Sequence, residues 1–334
     1  MVRNFLDTNK IVYHPDRLSS WLNENYAAVK PITVELHLSG RCNNNCYYCF
    51  DKSNKTGILM GKKDAIVIID KLKQLGVVGI VLSGGGEPTM NNDLGEIIKY
   101  IHTNGMDVGL ITNGVKIPVG LISIIAEHCT WVRVSYDSTN PDIYKKIRKT
   151  DNAIDVISNL KLLVAHKKKC TIGAQIVVNE YNLHDLWHTT HDLSKVGLDY
   201  LQIRPLENVE YDDYVLEYIL NQLDVLKKIH GDWLVLSQKW DLIDQNISFN
   251  KCWCYSFIGT ITVGGDMYIC CHHINNKKYC YGNLIREDIV DIINKRDIVA
   301  KNINLKKCPK LCRGVGVNLA LEKIKCGIEH VNFL

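Results

Sequence analysis

What this sequence lacks narrows its class first. It has almost no excess of one charge: 40 Lys and Arg against 36 Asp and Glu leave a net of +4 with His neutral. That balance gives no broad basic footprint for nucleic acid and no acidic tail. No run of about eighteen apolar residues occurs, so no transmembrane helix is expected. The opening stretch Met1-Val2-Arg3-Asn4-Phe5-Leu6-Asp7 has no apolar core of the kind a secretory signal needs. The expected location is therefore the cytoplasm. There is no internal repeat and no low-complexity tract. With 46% hydrophobic and 23% charged residues, wholesale disorder is excluded too.

Cysteine, by contrast, is abundant: thirteen in 334 residues. In a reducing compartment that many thiols point to metal or redox chemistry rather than disulfides. They also cluster. Cys42, Cys46 and Cys49 share one short stretch, and Cys252, Cys254, Cys270, Cys271, Cys280, Cys308, Cys312 and Cys326 fall in the last quarter. Cys129 and Cys170 stand alone and read as core residues.

Residues 1–30 carry little signal. From residue 31, β-rich runs alternate with helical patterns. Strands are expected at Ile32–Ser39, Val77–Leu82, Asp107–Thr112, Trp131–Tyr136, Thr171–Val178 and Tyr200–Arg204. Helices are expected at Asp64–Leu75, Asn92–Thr103, Val119–Glu127, Pro141–Arg148, Ala153–Lys167 and Leu183–Lys195. Strands separated by helices demand a parallel sheet with crossovers. Six units are too few for a closed eightfold barrel, so an open six-unit barrel or a doubly wound sheet fits. In either, functional loops follow the carboxyl ends of strands. The cysteine triplet, a glycine run, Asn113 and Asp137 all sit at such ends. Residues 207–250 read as a helical linker, with a helix over Tyr214–His230. Residues 251–334 read as a small cysteine-rich α+β domain that a metal would organise, since so short a segment has difficulty building an adequate core.

The triplet has C-x3-C-x2-C spacing. Soft thiolates on one tight loop select zinc or iron–sulfur clusters. A structural zinc site wants four protein ligands, and only three are local. That suits a four-iron cluster with one open iron; a zinc knuckle completed from elsewhere is the alternative. One unit later comes Ser83-Gly84-Gly85-Gly86-Glu87-Pro88, where consecutive glycines allow close backbone approach to a ligand.

Together these motifs resemble the radical S-adenosylmethionine (radical SAM) superfamily, over roughly residues 31–206. The resemblance implies a partial (β/α)6 TIM-like barrel in which Cys42, Cys46 and Cys49 hold a 4Fe–4S cluster. The open iron chelates AdoMet, and one-electron reduction releases a 5′-deoxyadenosyl radical that removes hydrogen from an unactivated carbon. It implies that Gly85, Gly86 and Glu87 line the AdoMet amino group, and that Ser135 and Asp137 face its ribose or carboxylate. Asn113 matches a polar position after the third strand, and Arg148 a basic position that pairs with the carboxylate. The resemblance further implies that Gln175 contacts adenine and that Tyr48 shields the cluster. For Asn113 and Arg148, a turn residue and a solvated helix end are competing readings.

The C-terminal region resembles the SPASM or twitch extensions of the same superfamily. It carries Gly265-x4-Cys270, a Gly282-Asn283-Leu284 step and a closing Cys308-x3-Cys312. The resemblance implies one auxiliary 4Fe–4S cluster on Cys252, Cys270, Cys308 and Cys312, with Cys254 able to replace Cys252. Of the leftover thiols Cys271, Cys280 and Cys326, one is a candidate to donate a hydrogen atom to a substrate radical, Cys280 and Cys326 foremost; buried small hydrophobes are the competing reading. His184, His188 and His191 share a helix face and read as surface or packing residues.

The expected activity is hydrogen abstraction from a peptide or small-molecule substrate, giving oxidation, crosslinking or epimerisation. The electron donor would be a flavodoxin or ferredoxin. Neither a membrane nor a nucleic-acid partner is expected. The alternatives are modification of a nucleotide or RNA, or a non-catalytic iron–sulfur protein.

Overall fold

The structure, a computed structural model, describes residues 8–207, 209–243, 249–274 and 276–326. After helix α1 (Pro15–Leu22), strand β1 (Thr33–Leu36) opens a regular alternation with helices α2 (Lys62–Leu75), α3 (Leu94–Thr103), α4 (Val119–His128), α5 (Pro141–Arg148), α6 (Ala153–His166) and α7 (Leu186–Ser194). The intervening strands are β2 (Gly79–Leu82), β3 (Asp107–Thr112), β4 (Trp131–Ser135), β5 (Thr171–Val178) and β6 (Tyr200–Pro205). These six pair in chain order, all parallel. The expected open α/β barrel is what forms, with each strand where periodicity placed it.

The helix ends follow local chemistry. Helix α2 stops at Gly76, whose left-handed φ of 84° lets its N–H reach back to the carbonyls of Leu72 and Lys73. Helix α5 starts at Asn140, whose side chain accepts from the N–H groups of Asp142 and Ile143.

The sheet runs further than the sequence reading allowed. Residues 207–250 do contain a helix, α8 (Asp213–His230), but Leu234–Leu236 form strand β7, parallel to β6. Three residues are too few to show a period, so only pairing reveals them. In the C-terminal region, β8 (Ile258–Ile261) adds to the other edge of β1 in parallel, with Thr33 opposite Ile258 and Leu36 opposite Ile261. Strands β9 (Asp266–Tyr268) and β10 (Cys280–Asn283) continue antiparallel, and helices α9 (Ile289–Ala300) and α10 (Val315–Cys326) follow. The order is β10-β9-β8-β1-β2-β3-β4-β5-β6-β7. Main-chain hydrogen bonds thus join the cysteine-rich segment directly to the barrel.

Alternation along each strand divides two environments. Val132 and Val134, Ala174 and Ile176, and Leu201 and Ile203 pack under the helices in the main core. Their neighbours Arg133, Ser135, Gln175, Gln202 and Arg204 turn to the lumen. Among the described residues no helix is long and apolar enough to cross a membrane.

Candidate functional site

Two groups of thiols and the lumen between them make up the site. Cys42, Cys46 and Cys49, all half-buried, lie on the loop leaving β1. That loop is tied to the end of α5: Asn45 N–H donates to the Arg148 carbonyl and Tyr47 N–H to the Ile147 carbonyl, both at 3.1 Å. Side-chain donors approach the sulfurs. Arg148 Nη1 lies 3.6 Å from Cys46 Sγ, and Asn113 Nδ2 lies 4.0 Å from Cys42 Sγ. Burial pushes the Cys42 and Cys49 thiols up, so a bound cation is needed to hold them as thiolates. Among the described residues no three His, Cys, Asp or Glu side chains are grouped for a single metal ion. Three soft donors on one loop, with cationic and amide donors behind the sulfurs, fit a multi-iron cluster.

Asp137, fully buried at the end of β4, is the knot behind this loop. It pairs with Arg148 Nη2 at 2.8 Å and accepts from Tyr48 Oη at 2.6 Å and from Val177 N–H at 3.0 Å. The Arg148 guanidinium stands over the Tyr48 ring, 5.7 Å from its centroid. Burial alone would lower the Arg148 pKa, but Asp137 and Tyr48 hold it well above its ordinary value. The structure therefore pairs Asp137 and Arg148 with each other, and makes Arg148 a fixed cation beside Cys46.

The glycine run serves the same loop. Gly84 and Gly85 have φ near +65°, at 66° and 64°. A Cβ on Gly86 would sit 2.1 Å from the Arg41 carbonyl oxygen. Only glycine lets this turn lie flat on the start of the cysteine loop, where Gly86 N–H donates to Ser39 and Glu87 N–H to Arg41, each at 2.7 Å. Glu87 is buried, and its carboxylate already receives Thr89 N–H (3.1 Å), Thr89 Oγ1 (2.9 Å), Thr112 Oγ1 (2.5 Å) and Asn113 N–H (2.7 Å). Burial raises its pKa and those donors oppose the rise. Much of Glu87 is thus spent on fixing β3 against the turn. Ser135, Gln175 and Gln202 sit at one register level of adjacent strands, facing the lumen just below this turn.

In the second group, thiols raised by burial at Cys254, Cys308 and Cys312, and Cys270 beside them, lie close enough to Cys252 that a thiolate there would raise each further. Asn318 on α10 organises it: its Oδ1 accepts from the N–H groups of Trp253 (2.7 Å) and Cys254 (2.9 Å), and its Nδ2 donates to Cys252 Sγ at 3.5 Å. Cys252 and Cys254 both belong to this neighbourhood. Cys254 is the more buried, and its thiol is pushed well up by burial. Burial likewise lifts Cys312 to about 11. His273 Nε2 stands 3.7 Å from Cys308 Sγ. Cys280 and Cys326 are not brought here. Cys280 lies on β10 in a surface groove with Asp266, Lys277 and Glu287, and Cys326 is exposed at the end of α10. Cys129 and Cys170 are buried in the main core.

Sequence reasoning missed the lumen. Arg313, next to Cys312, reaches the buried Glu35 of β1, which also accepts from Ser83 Oγ at 2.5 Å and lies 3.3 Å from His37 Nε2. Arg133 bonds Gln202 Oε1 at 3.1 Å, and Arg204 pairs with Glu207 at 2.9 Å. The signal for the first set was present: Glu35 and His37 alternate within an otherwise apolar strand and so share one face.

The Radical SAM superfamily model matches residues 36–193. The chain is 29% identical over 195 residues to a probable GTP 3′,8-cyclase of Methanothermobacter thermautotrophicus, covering 56% of this chain and 62% of that one. It is 31% identical over 134 residues to an S-adenosylmethionine-dependent nucleotide dehydratase of Selenomonas ruminantium, covering 39% and 47%. It thus spans less than two thirds of the length of these relatives. In fold it is similar to Streptococcus suis SuiB bound to precursor peptide SuiA, with TM-score 0.69, 16% identity, and 87% of this chain and 70% of that chain covered. It is also similar to anSMEcpe with bound AdoMet, with TM-score 0.65, 18% identity, and 85% and 88% covered.

Proposed function

We propose that this chain, whose residues 36–193 match the Radical SAM superfamily model, abstracts a hydrogen atom from an unactivated C–H bond of a peptide or small-molecule substrate. The observation that carries the reading is the cysteine loop lying directly on the Gly84–Glu87 turn at the carboxyl ends of adjacent strands. When bound, a four-iron cluster and AdoMet supply reductive cleavage of a sulfonium and a hydrogen-abstracting radical; the protein's share is to hold, orient and exclude water.

In this reading Cys42, Cys46 and Cys49 hold the cluster, and Arg148 and Asn113 donate toward its sulfur ligands. Tyr48 and Asp137 fix Arg148. The backbone of Gly85 and Gly86, the free capacity of Glu87, and the side chains of Asn113, Ser135 and Gln175 surround AdoMet. Cys252, Cys270, Cys308 and Cys312, with Cys254 beside them, hold one auxiliary cluster near the lumen, placed to accept an electron or to anchor substrate. A flavodoxin- or ferredoxin-like donor in the cytoplasm supplies the electron. SuiB, a fold neighbour, binds a precursor peptide, which supports the peptide reading. The names of the curated relatives support a second one, a nucleotide substrate.

The test is anaerobic incubation of reconstituted protein with AdoMet and dithionite. 5′-Deoxyadenosine should form, and changing Cys42, Cys46 and Cys49 to Ala should abolish it. Its absence from the wild-type reaction would sink the proposal. Iron content tests the auxiliary cluster, with about eight irons per chain expected and about four refuting it.

A further inference from the structure

We infer that the lumen binds an anionic group of the substrate, a carboxylate or a phosphate, through Arg133, with Arg204 and Arg313 flanking it. The inference rests on the reading of the barrel mouth as the AdoMet site. Arg133 stands opposite Gly173, which stands opposite Tyr200; one level nearer the mouth come Ser135, Gln175 and Gln202. The Arg133 guanidinium rises from its own level to Gln202, just under the side chains assigned to AdoMet.

Among the described residues, Arg133 is the lumen arginine with no carboxylate partner. Glu35 is taken by Arg313, Ser83 and His37. Glu207 is taken by Arg204 and Lys239, with His272 Nε2 at 3.8 Å. Glu35 and Glu207 thus serve Arg313, Arg204 and Lys239, and the buried Asp51 near Glu35 accepts from Gly85 N–H at 3.3 Å and from Asn54 Nδ2 at 2.8 Å. Arg133 is the one left over. Its guanidinium donates to the neutral amide oxygen of Gln202, its Nε is buried without a partner, and the guanidinium lies 5.7 Å from the centroid of the Trp131 ring. Burial pushes its pKa down, the neighbouring Tyr200 opposes the fall, and repulsion from Arg204 and Arg313 adds to it against the weaker pull of Glu35.

A half-buried guanidinium without a carboxylate partner is costly. A bound anion offsets that cost, and the planar fork of arginine matches carboxylate and phosphate oxygens two at a time. An anion held here places the rest of the substrate upward, toward AdoMet. Arg204 and Arg313 add attraction without losing their own carboxylates. Arg313 also brings the auxiliary-cluster segment to the same anion, so substrate binding and that segment share one wall.

The test uses reconstituted holoenzyme with its clusters oxidised and AdoMet saturating, so that AdoMet's own carboxylate site is filled. Calorimetric titration with sodium phosphate, and separately with sodium acetate, is run at ionic strength fixed with sodium chloride. Saturable binding of at least one anion is expected. It should weaken at least about ten-fold in Arg133→Gln and less in Arg133→Lys, which keeps the charge without the fork. Tighter phosphate binding assigns a phosphorylated substrate, and tighter acetate binding a carboxylate. Should Arg133→Gln fail to fold, phenylglyoxal modification of the wild type decides: phosphate or acetate should protect Arg133 and not the exposed Arg286. No saturable binding, equal affinity in Arg133→Gln, or equal protection of both arginines would overturn the inference. 5′-Deoxyadenosine formation is read on the same preparation, so failure of the enzymatic reading shows separately from failure of the anion site.

Discussion

The Arg313 guanidinium closes on the Glu35 carboxylate across 278 residues of chain. Arg313 follows Cys312, and Glu35 lies on β1, which launches the first cysteine loop. One ion pair thus ties the two thiol groups' supports together. Burial by itself would raise the Glu35 pKa; Arg313, His37 and Ser83 overcome it and hold the carboxyl well below the carboxylate range.

That depression sets a pH dependence. A carboxyl whose folded pKa is lowered adds stability above its unfolded value, about 4.3 for glutamate, and loses it as pH falls toward the folded value. Thermal melts should show the midpoint falling on acidification below about pH 5, with a shallower acid-side slope in Glu35→Gln. Superimposable slopes would show that this pair is not the source.

Asp137→Asn leaves Arg148 buried without its anion. Losing one partner of a buried pair costs about 3–5 kcal/mol. Tyr48→Phe removes a single hydrogen bond to the same carboxylate and should cost about 1 kcal/mol. Chemical denaturation of both variants checks the ordering, and equal losses would mean that Asp137 does not anchor Arg148.

Gly86→Ala pushes a methyl group into the Arg41 carbonyl, and the turn must lift off the cysteine loop. 5′-Deoxyadenosine formation should fall sharply while the circular dichroism spectrum persists. Gly264 has nothing within 4 Å of a built Cβ, so Gly264→Ala should change stability by less than about 0.5 kcal/mol. Full activity in Gly86→Ala would remove the turn from the site.

Asn318→Leu strips the acceptor from two buried amides, at about 1–3 kcal/mol for each group left unsatisfied. The segment holding Cys252 and Cys254 should loosen, and iron per reconstituted chain should drop from about eight toward about four. Unchanged iron content would show that Asn318 does not organise the second thiol group.

Much of this was legible in the sequence. Six strand–helix units announced themselves because periods of 2 and 3.6 are local properties of the chain. The cysteine triplet did too, because three ligands on one loop need no distant partner. Strand β7 and the parallel union of β8 with β1 were not legible: the first is three residues long, and the second joins segments more than 220 residues apart. Pairings between distant side chains were equally hidden. Asp137 and Arg148 each looked like a ligand contact, and the fold matched them to each other. Arg313, Arg133 and Asn318 carried no local mark at all. The sequence by itself determined the alternating architecture and the donor chemistry of the two thiol groups. The tertiary structure alone decided which charges are neutralised and which, like Arg133, are left facing the lumen, because charge balance in a buried space depends on neighbours that only folding brings together.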